Sequence, residues 1–175
     1  MHRFLTLLQK DLRYFLYLEG LLMLFRVAFL LLFRSQLNAV SASEILYALY
    51  LGFRISLKTT VLLVGLPFLL ATVPGSFSSR YPEKAVRTLL TGLSLFVMTF
   101  LFVARIPYYA IFQETYNIML FNGMKDDKHA IWDTAVKEYQ LFPRLVGVLL
   151  LSALVIYLWH RLQERKGIAP QRRVK

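Results

Sequence analysis

Cysteine is absent from the 175 residues, which rules out a disulfide framework, a thiolate zinc site and a cysteine nucleophile. Charge is scarce too: 18% of residues carry it and 57% are hydrophobic, whereas soluble globular domains are roughly 25% charged. Blocks such as Val61–Val73 and Val146–Tyr157 lack the polar face that a surface helix in water needs. No glycine-rich phosphate loop is present, nor an acid/base pair set in an apolar pocket. Thr115 and Thr134 have no adjacent base to activate them. By its residue inventory the chain offers no catalytic group, no metal site and no need of a cofactor.

Acid is scarcer than base, with 10 Asp and Glu against 21 Lys and Arg, for a net charge of +11. Such an excess suits nucleic acid. Here, however, the basic residues gather at the ends of apolar blocks, and no RNA- or DNA-reading motif interleaves them. The expectation is an all-α polytopic membrane protein that does not bind nucleic acid.

A helix crosses a bilayer with ~20 mostly apolar residues, because each backbone N–H and C=O must be paired within the segment. Four windows meet this, at about 14–33, 57–73, 85–105 and 144–159. They define a membrane domain over 1–160, followed by a basic tail over 161–175. The N-terminal run continues to Phe33 without a small-residue cleavage site and reads as a retained span. Arg3, Lys10 and Arg13 precede the first window, and Arg80, Lys84 and Arg87 lie between the second and third. Arg161, Arg165, Lys166, Arg172, Arg173 and Lys175 follow the fourth. The positive-inside rule therefore puts both termini in the cytoplasm, in a multi-pass arrangement. The segment 106–143 then faces outward.

Within the first window, Glu19 and Arg26 are seven residues apart and share a helical face. Ionisable groups at membrane depth face partners. Arg26 is expected to pair with Glu19 or with another span and to fix helix packing; the alternative is contact with a lipid headgroup or substrate. Pro67, with Gly65 before it, is expected to kink the second span. Pro74, Gly75, Ser76, Ser78 and Ser79 read as a turn.

The outer segment is dense in aromatic and charged residues. Tyr109, Phe112 and Tyr116 recur at helical spacing and are expected to prolong the third span as an amphipathic interfacial segment ending at Asn122-Gly123. Asp126, Asp127, His129 and Asp133 have metal-ligand chemistry but no metal-site spacing, and Asp126 or Asp127 suits the cap of a following helix. His2 and His160 fall at membrane ends and read as surface residues.

Several segments together resemble the N-terminal transmembrane domain of the lipoteichoic acid synthase family of phosphoglycerol transferases. LYALYLGFRISLKTTVLLVGLPFLL is similar to the family's entry into its second span, and ARIPYYAIFQETYN with KDDKHAIWDTAVKEY to the tyrosine-rich exit of the third and the short helix beyond. Ser56, where the family often has Asp, departs from the pattern, as do Arg105 and Thr115. The resemblance implies a bacterial cytoplasmic membrane, five spans and then an extracytoplasmic sulfatase-like domain of the alkaline phosphatase superfamily. That domain transfers glycerol phosphate from phosphatidylglycerol with a threonine nucleophile and a divalent metal; none of it occurs in these residues. What the resemblance leaves for this chain is anchoring and orienting a catalytic domain or subunit, with membrane lipids, among them phosphatidylglycerol, as partners. The candidate contacts are Arg54, Lys58, Tyr108, Tyr109, Asn117 and Lys128 on the outer face and Arg26 within the membrane. Ordinary interfacial anchoring is the plainer explanation of each of them. The rival expectation is a self-contained small membrane protein serving assembly or transport.

Overall fold

The computed structural model describes residues 2–38, 40–113 and 141–164, and there is no strand among them. Helix α1 spans His2–Leu32, α2 spans Ala42–Pro67, α3 spans Val73–Phe77, α4 spans Glu83–Phe112 and α5 spans Leu141–Glu164. A 3₁₀ turn, Arg34–Leu37, follows α1, and a π-helical turn, Phe68–Thr72, joins α2 to α3. Four helical stretches are long and apolar enough to cross a membrane: Arg3–Leu32, Ala42–Phe77, Glu83–Ala110 and Phe142–Gln163.

Helix α1 contains no proline, and Leu7, Asp11, Tyr14, Leu18, Leu21 and Phe25, all of its buried positions but Glu19, alternate steps of four and three. That spacing puts them on one seam of an α-helix. Against the seam lie Leu95 of α4 and Val155 and Trp159 of α5. Aromatic groups lock the contact: Phe25 stacks on Phe102 with centroids 4.2 Å apart, and Trp159 lies 5.1 Å from Tyr14 and 5.3 Å from Tyr17. The polar tips find partners inside the bundle. The Tyr14 hydroxyl bonds to Ser94, Tyr17 donates to the Val155 carbonyl at 2.7 Å, and the Trp159 indole donates to Thr91 at 3.4 Å.

Helix α2 begins at a capping box. Ser41 accepts from the Glu44 N–H, and the Glu44 carboxylate accepts from the Ser41 N–H. Two of the otherwise unpaired N–H-end groups are thereby satisfied, so the helix starts well before the expected window at 57. Arg54 and Lys58 consequently sit on α2 and not in a connection.

Pro67 has no N–H to give, and the break it causes takes the form of a π turn in which the Val73 N–H reaches back to the Phe68 carbonyl. Pro74 interrupts the ladder again, and the Leu70 carbonyl four residues before it accepts instead from the Tyr81 hydroxyl at 2.6 Å. The helix therefore runs on through Phe77, and the turn expected over 74–79 falls at 78–82.

Contacts pair Asp11 with Thr72, Glu19 with Thr60 and Arg26 with Ser56, so α1 and α2 run antiparallel. Asp11 with Arg87, Tyr14 with Ser94 and Phe25 with Phe102 set α4 parallel to α1. The start of α1, the 78–82 turn and the last turns of α5 thus share one end of the bundle, called the proximal end below. At the distal end, Gln36 donates to Gln113 at 2.8 Å and accepts from Tyr109 at 3.2 Å. Gln113, at φ 54°, closes α4 in the left-handed region with its N–H on the Tyr109 carbonyl. The continuation expected after the third span is helical through Phe112, and the rest of the expected amphipathic segment lies outside the described residues.

Candidate functional site

Two polar clusters interrupt the apolar packing. Near the proximal end, Asp11 and Arg87, each 3% exposed, form an ion pair. Thr72 donates to Asp11 at 2.5 Å and accepts from Arg87 at 2.6 Å, joining the π turn to both. Glu83 stands 3.9 Å from the Arg87 guanidinium and 3.7 Å from the Lys10 ammonium. Gly75 makes room for this, since a Cβ there would approach the Glu83 Cβ to 2.9 Å. Two acids meet two bases, so the cluster is internally neutral. Its chemistry is that of a fastening among α1, the π turn and α4.

Toward the distal half the balance differs. Gly52, Ser56 and Thr60, spaced by four, form a buried stripe of small residues on α2. Such a stripe lets an apposed helix approach closely. Arg26 of α1 lies across it: its Nε donates to Ser56 at 3.2 Å, and a Cβ at Gly52 would meet its Cζ at 2.9 Å. Ser56 hands its own proton to the Gly52 carbonyl at 2.8 Å. One turn away, the buried Glu19 accepts from Thr60 at 2.7 Å, and its other oxygen has no partner among the described residues. Arg26 thus pairs with the second helix and not with Glu19.

Arg105 of α4 completes the site. Its guanidinium carbon lies 4.4 Å from the Phe29 ring centroid, and its buried Nε has no hydrogen-bond partner among the described residues. Arg26 and Arg105 both line a cavity of about 400 Å³, with Ser56 and Thr59 and an apolar wall of Leu22, Phe25, Phe29, Met98, Leu101 and Phe102. Among the described residues no carboxylate forms an ion pair with either arginine.

Of the sequence candidates among the described residues, Arg26 alone lines this cavity. Arg54 is exposed on α2 with its guanidinium 5.9 Å from the Tyr50 ring centroid, and Lys58 is exposed on the same helix. Tyr108 is buried, and Tyr109 is half-buried, edge-on to Phe29 and Phe33. Asn117 and Lys128 lie outside the described residues, as do Asp126, Asp127, His129 and Asp133.

Sequence reasoning missed Asp11, whose signal was legible: an acid at a seam position between Leu7 and Tyr14 needs a buried partner. It also took Arg105 as the end of a span, and no pattern in the sequence joins it to Arg26. Compared with family models, curated proteins and solved structures, the chain matches none.

Proposed function

We propose that this chain is a multi-pass membrane domain of the lipoteichoic acid synthase type, which anchors and orients an extracytoplasmic phosphoglycerol-transferring domain or subunit and offers it an anionic lipid headgroup. The observation that carries the membrane setting is the outward face of every long helix. Leu16, Leu24 and Leu31 on α1, Leu46 and Leu62 on α2, Leu89 and Leu93 on α4, and Leu149 and Leu150 on α5 are all more than half exposed. A continuous apolar surface of this kind is unfavourable in water and matched by lipid. The basic residues of the proximal end support a cytoplasmic placement for it, through the positive-inside rule. For the family, the support is the likeness of residues 46–70, 104–117 and 125–139 described above.

Topology is directly measurable, because the native chain has no cysteine to remove. Single cysteines at Ser79 and Ser35 are expected to react with a membrane-impermeant maleimide from opposite sides of sealed vesicles. Labelling of both from one side, or a chain that stays monodisperse without detergent, overturns the membrane reading. The catalytic reading is tested by glycerophosphate transfer in cells carrying the intact locus and in cells expressing this chain only. Activity is expected in the first alone. DNA downstream of Lys175 encoding a further span and a sulfatase-like domain supports the anchoring role, whereas a stop codon with no such neighbour favours a self-contained assembly or transport subunit.

A further inference from the structure

We infer that the cavity between α1, α2 and α4 is a binding site for the phosphodiester headgroup of an anionic amphiphile, clamped between the guanidinium groups of Arg26 and Arg105. The inference rests on the membrane reading above and adds to it a defined pocket and two residues that hold the ligand.

Three observations carry it. The first is charge: two guanidinium groups face one cavity, and among the described residues neither forms an ion pair, Glu19 acting on Arg26 only from a distance. Like charges in a medium of low dielectric repel and lose hydration, so setting two cations side by side is costly. An anion between them reverses both terms. The second is unused hydrogen-bonding capacity. The Arg105 Nε is buried without a partner among the described residues, and Arg26 spends its Nε on Ser56. Guanidinium forks suit phosphate oxygens in particular, through paired charge-assisted bonds. The third is shape and lining. About 400 Å³ lies in the range of small-molecule pockets, and the wall is aromatic and aliphatic apart from the Ser56 and Thr59 hydroxyls. A soluble anion has no use for that wall, whereas the first methylenes of an acyl chain do.

Gly52 sets the geometry. Because any side chain there would push the Arg26 guanidinium aside, its absence holds the cation against α2. Gly52→Ala therefore displaces one half of the clamp without changing charge.

The test is lipid retention by native mass spectrometry on the chain purified in a zwitterionic detergent, titrated with short-chain phosphatidylglycerol, phosphatidylcholine or inorganic phosphate. One phosphatidylglycerol is expected to bind the unmodified chain, and phosphatidylcholine and phosphate much more weakly. Arg26→Gln with Arg105→Gln is expected to weaken phosphatidylglycerol binding by about tenfold or more, the loss of one or two charge-assisted contacts. Arg80→Gln with Lys84→Gln removes the same charge from exposed positions at the proximal end and is expected to leave binding unchanged.

Equal weakening by the two double variants, or none by the first, overturns the site. Phosphate competing at the same concentration as the lipid would make it a free-anion site and overturn the amphiphile. Should the double glutamine variant fail to fold, Gly52→Ala reads the same site with both charges kept, and binding equal to that of the unmodified chain overturns the clamp. Carbonate extraction of each variant from membranes separates the outcomes. Lost binding with retained insertion speaks to the cavity, whereas lost insertion of the unmodified chain speaks against the membrane reading itself.

Discussion

The proximal polar cluster buries one arginine, the distal cluster holds two that are half-buried, and the two use them in opposite ways. Arg87 is enclosed by Asp11, Thr72 and Glu83, and its cluster leaves no cation without an acid. Arg26 and Arg105 share a cavity with two hydroxyl side chains and no described acid. Burying an ion pair satisfies a charge that the fold itself brought inside, and the result is rigidity. Two half-buried cations that face one cavity repel each other, and an anion between them reverses that repulsion. The first arrangement serves the scaffold, and the second has the electrostatics of a site.

Breaking the proximal pair gives the largest expected effect. Asp11→Leu leaves Arg87 buried without its main counterion and should cost about 3–5 kcal/mol of stability, measured as thermal unfolding in detergent. The double change with Arg87→Leu should recover most of that loss, and a single variant as stable as the parent would remove the distinction between the clusters. At the distal cluster the sign inverts. Arg26→Met, which removes a cation held in no ion pair among the described residues, should be neutral or stabilising by about 1 kcal/mol in lipid-free detergent, while weakening anionic lipid binding. A loss of stability as large as that of Asp11→Leu would make Arg26 a fastening like Arg87.

Gly52→Ala sharpens the same contrast, because it displaces Arg26 with the charge intact. Overpacking of this kind against a flexible side chain should cost about 1 kcal/mol, read by the same melts. The smallest effect belongs to the proximal end: Tyr81→Phe removes the hydroxyl that caps the Leu70 carbonyl and should cost about 0.5–1 kcal/mol. Urea titration in mixed micelles would resolve it, and no change would mean that another group takes up that carbonyl.

Much of the scaffold was legible because hydropathy integrates over a whole span. The four apolar windows correspond to helices, and Pro67 does interrupt the second, since a missing N–H acts locally. Boundaries were less legible. The Ser41–Glu44 box and the Tyr81 hydroxyl extend α2 and carry the chain past Pro74, and each depends on a few atoms that hydropathy does not weigh. For the site, Arg26 stood out as a cation in an apolar run, but Arg105 lay at the edge of its window and Tyr108, expected at an interface, is buried.

The sequence by itself determined the helical class and the four long apolar elements, because composition and local backbone chemistry act over neighbouring residues. Only the tertiary structure decided which charges face one another. Asp11 meets Arg87 across 76 positions, and Arg26 and Arg105 are brought to one cavity by the packing of α1 with α2 and α4. Charge pairing depends on distance in space, and the parallel setting of α1 and α4 supplies what the order of residues leaves open.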